Sequence, residues 1–234
     1  MSLLLYAIAD ADAAAVEGAG VGQAPLTALG TPGLVAVVAE QTGPLPMATE
    51  EALWEHERVI ERLMARHAVL PARFGSVLRD RSHAQELLAS RREQLEQALS
   101  LVRGAVELSL HAGWRAQATA SAVSGTAYML GRLAQLRRAH EIAAELHALD
   151  GLARASRRRV AQRPGAAVVA AYLVDRSLVG TFADKVKRLD QGLPDVDVVC
   201  TGPWPPYSFA DSARGAALRL REPHSGALDP DSPG

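Results

Sequence analysis

Short apolar runs alternate along this chain with longer segments of helical periodicity, and this alternation limits the folds open to it. Runs such as LLLYAIA (3–9) and AAVVAAYLV (166–174) have the length and the bounding residues of buried strands. The segments between such runs repeat apolar residues every three or four positions, which is typical of amphipathic helices. The sequence therefore predicts an α+β protein in which helices cover mostly antiparallel sheets.

Residues 1–102 are predicted to form an N-terminal domain with a mixed or antiparallel sheet and helices. Thr49 offers a hydroxyl that caps the first helix, and Pro71 disfavours helical geometry at the residue before it, so this helix should end near Val69. The predicted elements after the first strand are a hairpin turning at 30–33, helices over 49–68 and 81–101, and a strand over 69–78 between these helices.

Residues 103–210 are predicted to form a ferredoxin-like domain with one long helix. Its expected elements are a strand at 104–112, a helix at 124–149, strands at 152–161 and 166–174, a helix at 179–193 and a strand at 195–202. This order, β-α-β-β-α-β, is that of the ferredoxin-like fold. The arginine-rich segment 152–161 fits an exposed edge strand, although it could equally continue the preceding helix. Residues 211–234 are predicted to be a flexible tail.

Charge and composition argue against several partners. The chain carries 25 Lys and Arg against 26 Asp and Glu, so no net field attracts nucleic acid or an anionic membrane. Its longest apolar run, at 166–174, is about half of the roughly 20 residues that a membrane-spanning helix needs. The first residues lack the basic stretch of a secretory signal. We therefore expect a cytoplasmic protein that binds neither nucleic acid nor a membrane.

No group of residues has the spacing of a catalytic or metal-binding site. HERVI begins like a zinc-protease motif but has Ile60 where the second histidine is required. The only cysteine, Cys200, has no base or cation nearby in the sequence that would activate it. Four side chains of the long helix could meet at a metal, but a polar solvent-facing surface is the commoner arrangement: His140, Glu141, Glu145 and His147. We expect no enzyme activity and no cofactor.

The arginines between 154 and 163 leave an alternative class of function open. Ferredoxin-like sheets can bind RNA, but the RNP1 pattern and its stacking aromatic residues are absent here. We favour a solvated sheet edge that discourages aggregation. The alternatives are a small-ligand or RNA-binding regulatory module and an unrecognised enzyme.

Two segments of the sequence resemble a known family. EEALWEHERVIERLMARHAVLPARFGSVL (50–78) is similar to the first block of the gas vesicle protein F and L family (GvpF/GvpL), in which a helix of the form ALxxHExVI runs into VLPxRFG. AAYLVDRSLVGTFADKVKRL followed by VDVVCTGPWPPYSF resembles the C-terminal block of that family. The resemblance covers most of residues 1–210, in the same order, and GPWPPYSF is a specific motif.

This resemblance implies a cytoplasmic accessory protein of gas vesicle formation, either an assembly factor or a minor vesicle component. Members of the family are thought to contact the small hydrophobic shell protein GvpA and other accessory Gvp proteins, and the family supplies no catalytic residue. The candidate partner surface therefore consists of the motif residues Leu70, Pro71, Arg73, Phe74, Gly75, Gly202, Pro203, Trp204, Pro205, Pro206, Tyr207 and Phe209.

Two interpretations of these motif residues stay open. The prolines fix the backbone in a stiff extended path, so the neighbouring aromatic rings are held in defined positions. The rings either clamp the C-terminal strand onto the core or present part of a surface for a partner. In the first motif, Phe74 is expected to face the core and Arg73 to bind a carboxylate, with a partner contact as the alternative.

Overall fold

The computed structural model describes residues 2–11, 16–115, 124–161 and 165–214. Within these ranges the chain forms two antiparallel sheets, one from each half of the sequence, with helices packed against them. The predicted α+β class is therefore confirmed. The expected flexible tail lies outside the described residues from 215 onwards, whereas the chain up to Arg214 is helical.

The first sheet is built around a strand that is buried along almost its whole length. Its strands are β1 (Ser2–Ala9), β2 (Leu26–Thr31), β3 (Leu34–Gln41), β4 (Val69–Pro71) and β5 (Val77–Leu78). The order is β2-β3-β1-β4, and β5 also pairs with β1. The predicted hairpin joins β2 to β3, and its two-residue turn leaves Thr31 opposite Leu34.

The segment predicted as one strand over 69–78 is instead two short strands. β4 and β5 both pair with β1, and the Ala72 N–H still donates to the Tyr6 carbonyl oxygen, but residues 73–75 leave the sheet. Gly75 lies in this interruption with φ at +79°, a backbone conformation that glycine adopts without steric strain. Ser76 returns to the sheet edge, where its carbonyl oxygen accepts a hydrogen bond from the Leu5 N–H.

The helices of the first half begin as predicted but end differently. Helix α1 (Glu50–Met64) starts at Thr49, whose hydroxyl accepts the Ala52 N–H, and it stops short of the predicted end at residue 68. The expected helix over 81–101 is divided into α2 (Arg81–Ser90) and α3 (Arg92–Val102), because Arg91 leaves helical geometry. Leu95 and Leu99 of α3 are buried in the core together with Leu87 and Leu88 of α2.

The second sheet has the predicted ferredoxin-like arrangement. Its elements are β6 (Ala105–Trp114), α4 (Gly125–Glu145), β7 (Ala155–Val160), β8 (Ala166–Asp175), α5 (Val179–Gly192) and β9 (Val196–Trp204), followed by α6 (Tyr207–Arg214). The strand order is β7-β8-β6-β9, with every neighbouring pair antiparallel. Residues 155–160 are a strand and do not continue the helix, which gives way to a short 3-10 helix, Leu146–Leu152.

The hydrophobic core continues from one half of the chain to the other. One cluster joins Leu5 and Leu70 of the first sheet to Leu173 of β8 and Phe209 of α6. A second cluster lies between the second sheet and helices α4 and α5, and a third lies under α1. The domain boundary at residues 102 and 103 stays a prediction.

Candidate functional site

The second motif, Gly202–Phe209, runs from the end of β9 into α6 and contacts both halves of the fold. It begins at Gly202, where φ is +123° and an added Cβ would lie 2.8 Å from the carbonyl oxygen of Glu107. This close approach and the positive φ together require glycine. The following bond, Gly202–Pro203, is cis, and Pro203 is exposed.

Trp204 is the exposed aromatic residue of the second motif. Its side chain is 46% exposed, and its indole N–H donates to the Thr201 hydroxyl at 3.3 Å. It ends β9, an edge strand that also carries the exposed Val199. Among the described strands β9 pairs with β6 alone, so its other side is a sheet edge, at which the Val198 N–H donates to Asp190 at 2.8 Å.

The residues that follow Trp204 are anchored to the protein. Pro205 and Pro206 are buried, and Phe209 is only 5% exposed within the shared core, with the Arg157 guanidinium 5.7 Å from its ring centre. The Tyr207 hydroxyl donates to a carboxylate oxygen of Glu57 in α1 at 2.7 Å. This part of the motif therefore has the contacts of a clamp.

Glu107 binds the start of α6, a role that no pattern in the sequence predicted. This residue of β6 is 5% exposed, and its carboxylate accepts the backbone N–H of Ser208 at 2.8 Å and the Ser208 hydroxyl at 2.7 Å. A carboxylate at a helix N-terminus binds donors that have no partner within the helix. In strand alternation Glu107 falls on the polar face with Ser109 and His111, so the pattern indicated exposure. The only available signal was a charge in an otherwise uncharged strand.

The first motif lies in β4 and in the residues that follow it, and β4 contacts α6 of the second motif. Leu70 and Pro71 are buried in β4, Arg73 is exposed, and Gly75 lies in the interruption between β4 and β5. Phe74 is half-buried, and its ring meets His56 of α1 edge-on with 5.6 Å between the ring centres.

Helix α1 joins the two motifs through consecutive side chains. The ring of His56 contacts Phe74 and stacks on Tyr6 at 4.9 Å, and its Nε2 lies 2.9 Å from the carbonyl oxygen of Ala72. Glu57, the next residue, accepts the Tyr207 hydroxyl of the second motif. The structure thus brings both motifs to α1, whereas Arg73 and Trp204 remain on the surface.

Burial shifts the pKa of both α1 residues, in opposite directions. Loss of water lowers the pKa of His56, and the nearby carbonyl oxygen of Ala72 only partly opposes this. Burial raises the pKa of Glu57, although the hydrogen bond from Tyr207 acts in the opposite direction. Neutral His56 has one ring nitrogen to donate to Ala72, while its buried Nδ1 has no partner in the described part of the chain.

Several arginines outside the two motifs form ion pairs with carboxylates of the same chain. Arg158 binds Asp150, and Arg154 binds Asp175, so the arginine-rich edge strand is partly neutralised. Glu141 and Glu145, for which the sequence favoured a polar solvent-facing surface over a metal site, both bind Arg138. Across residues 2–11, 16–115, 124–161 and 165–214, no cluster of three or more His, Cys, Asp or Glu has the arrangement of a metal site.

One open surface cavity, of about 410 Å³, lies beside α1. Its charged lining includes Glu55, which accepts the Gly22 N–H at 2.9 Å, and Arg62, which donates to the Ala19 carbonyl at 2.8 Å. These side chains are engaged by the chain's own backbone. As for membranes, the described helices include none that combines the length and the apolar character required to cross a bilayer.

The fold and the two motifs define an α+β protein in which a proline- and aromatic-rich segment after the last strand contacts both halves of the chain. A family model described as gas vesicle synthesis protein GvpL/GvpF matches residues 2–211, and the chain belongs to this family. It is 31% identical to gas vesicle protein L of Streptomyces sp. (strain CB03234), over 84% of this chain and 88% of that protein. It is 27% identical to gas vesicle protein F2 of Halobacterium salinarum, over 78% of this chain and 79% of that protein.

Solved structures share the fold at low sequence identity. The crystal structure of GvpF from Anabaena sp. PCC7120 has a TM-score of 0.73 at 21% identity, and the match covers 90% of this chain and 98% of that one. The crystal structure of GvpF from Microcystis aeruginosa has a TM-score of 0.72, also at 21% identity, and the match covers 90% of this chain and 99% of that one. The resemblance predicted from the sequence is confirmed, and the chain has a gas vesicle-related role.

Proposed function

We propose that this chain is an assembly factor or minor structural protein of gas vesicles that acts in the cytoplasm by docking and not by catalysis. Its partners are the hydrophobic shell protein GvpA and other accessory Gvp proteins. Membership of a gas vesicle family supports the setting. The choice of docking surface rests on the second motif.

The observation that carries this proposal is the division within the second motif. Pro205, Pro206 and Phe209 are buried, while Trp204 beside them is 46% exposed. Anchored neighbours limit the movement of the Trp204 backbone, so a partner that binds the indole loses little conformational entropy. Tryptophan is also among the residues that contribute most to binding energy at protein interfaces.

The edge strand β9 gives this surface a second means of binding. An extended partner segment can add to an open sheet edge through backbone hydrogen bonds. Val199 and Trp204 of β9 are exposed beside that edge and supply apolar contacts. A shell protein that carries apolar surface before assembly suits such a combination, because the contact removes that surface from water.

A pair of substitutions in the same motif tests this proposal. Trp204→Ala removes an exposed ring and should reduce co-purification of co-expressed GvpA with the tagged chain, while the melting temperature changes little. Phe209→Ala removes a buried ring and should destabilise the fold by about 3–5 kcal/mol. Leu101→Ala is the control, because Leu101 is an exposed apolar residue on α3, outside the second motif.

The comparison between these variants decides the interpretation. Loss of GvpA binding by Trp204→Ala, with binding retained by Leu101→Ala, supports the docking surface. If Trp204→Ala lowers stability and binding together, the whole motif is a clamp. If Trp204→Ala binds GvpA as well as the unmodified chain does, the proposed surface is wrong.

A further inference from the structure

The first half of α4 carries apolar side chains that nothing in the described structure covers. Every residue from Ser124 to Arg137 is exposed, although the later part of the helix packs on the second sheet through Ala139 and Ile142. The exposed residues include Met129, Leu133 and Leu136, at the i, i+4 and i+7 spacing of one helix face, with Tyr128 beside them. Contiguous apolar surface of this kind marks an interaction site.

The charges of this helix face are all positive. Arg132 and Arg137 lie among the apolar residues, and within the described ranges neither forms an ion pair. No acidic residue occurs from 124 to 137. The next acids along the helix, Glu141 and Glu145, are already bound by Arg138. We call Tyr128, Met129, Arg132, Leu133, Leu136 and Arg137 the α4 face.

A second exposed surface of this chain has the opposite charge. It lies at the start of α1, where Leu53 and Trp54 are exposed, as is Met47 just before the helix. The only charges from 47 to 57 are four glutamates. Glu55 and Glu57 bind the Gly22 N–H and the Tyr207 hydroxyl, whereas Glu50 and Glu51 are exposed. We call Met47, Glu50, Glu51, Leu53 and Trp54 the α1 face.

We propose that the α4 face of one copy binds the α1 face of a second copy. Both faces carry large apolar side chains; the α4 face is positive, and the α1 face has two exposed glutamates, with the exposed Arg58 one turn beyond Trp54. The contact therefore buries apolar area and pairs arginine with glutamate. Both faces are exposed in the same chain, so they do not cover each other within one molecule. This inference is independent of the proposed binding of GvpA.

The geometry of this contact determines the type of assembly. Two different faces meet, so an open assembly keeps a free α4 face at one end and a free α1 face at the other. Such a head-to-tail contact builds rings when the rotation closes and open filaments when it does not. Arginine and glutamate at the rim make the association dependent on salt.

Charge reversal on each face tests this contact in the full-length chain. The variants are Arg132→Glu/Arg137→Glu on the α4 face and Glu50→Lys/Glu51→Lys on the α1 face, each studied by sedimentation velocity over a concentration series. Each variant alone should associate at least about tenfold more weakly than the unmodified chain, because like charges then face each other. An equimolar mixture of the two should recover association, because each reversed face meets its complement.

Lys187→Glu/Arg188→Glu, a reversal of two exposed cations on α5, is the matched control and should associate like the unmodified chain. Thermal melting by circular dichroism checks that each variant is folded. The proposal is overturned if the unmodified chain stays monomeric at every concentration. It is equally overturned if the reversed variants still associate, or if their mixture fails to recover.

Discussion

Protonation of His56 should lower the stability of the first half of the fold as the pH falls below neutral. The imidazole is 2% exposed, packed between Tyr6 and Phe74, and its Nε2 lies within hydrogen-bond distance of the Ala72 carbonyl. A second proton would fall on the buried Nδ1, which has no acceptor in the described structure. Burial accordingly lowers the pKa of His56.

The sign of the effect follows from the protons that each state binds. In the unfolded chain the histidine is protonated below a pKa of about 6.5, while in the folded protein it remains neutral to lower pH. The unfolded state therefore binds more protons in this range, so the free energy of unfolding decreases as the pH falls. Between about pH 7.5 and pH 5.5 this single group removes up to about 1.4 kcal/mol of stability.

Urea unfolding of the unmodified chain and of His56→Phe at both pH values measures this contribution. Phenylalanine keeps a ring between Tyr6 and Phe74 but cannot donate to Ala72, so at neutral pH the variant should be less stable by about 1 kcal/mol. The difference should shrink or reverse at the lower pH, because the variant has no proton to bind there. His140→Gln, which removes an exposed histidine, is the control and should retain the slope of the unmodified chain. Equal pH slopes for the unmodified chain and His56→Phe would refute this account.

Three substitutions test the contacts of the second motif by urea unfolding at neutral pH. Ser208→Ala removes a hydroxyl that donates to the buried Glu107, and stability should fall by about 1.5–3 kcal/mol; no change would mean that water replaces this donor. Tyr207→Phe removes the donor to Glu57 and should lower stability by about 1 kcal/mol, and an unchanged value would show that this bond is not formed in solution. Gly202→Ala should lower stability by about 2 kcal/mol or more, because φ is +123° and the new Cβ meets a backbone oxygen; a tolerated alanine would contradict the close approach.

Local patterns predicted most element positions. The Thr49 hydroxyl caps α1 and the Ser124 hydroxyl caps α4, because a cap depends on residues only three positions apart. The order of strands and helices in the second half predicted the ferredoxin-like arrangement, which the strand order confirms. The two sequence motifs predicted the family, and the family model matches almost the same residues.

The secondary-structure predictions were wrong where contacts between residues distant in sequence oppose the local periodicity. The segment 69–78 has the composition of one strand, yet residues 73–75 leave the sheet just after Ala72, whose carbonyl oxygen lies 2.9 Å from Nε2 of His56 in α1. The helix expected over 81–101 bends at Arg91, which lets the apolar sides of α2 and α3 both reach the core. A periodic pattern compares only residues a few positions apart, so it could not predict the interrupted strand or the divided helix.

The sequence by itself determined the class of the fold, the family and the stiffness of the proline-rich segment, because these depend on spacing and on backbone chemistry. Only the tertiary structure decided which ring of that segment is buried. Phe209 is buried because α3, β4 and β8 meet around it, and Trp204 is exposed because β9 is an edge strand. Likewise Glu107 lies on the face that strand alternation assigns to solvent, and it is buried because α6, a hundred residues further along the chain, binds over it. Burial depends on the sum of such distant contacts, and no short stretch of sequence contains them.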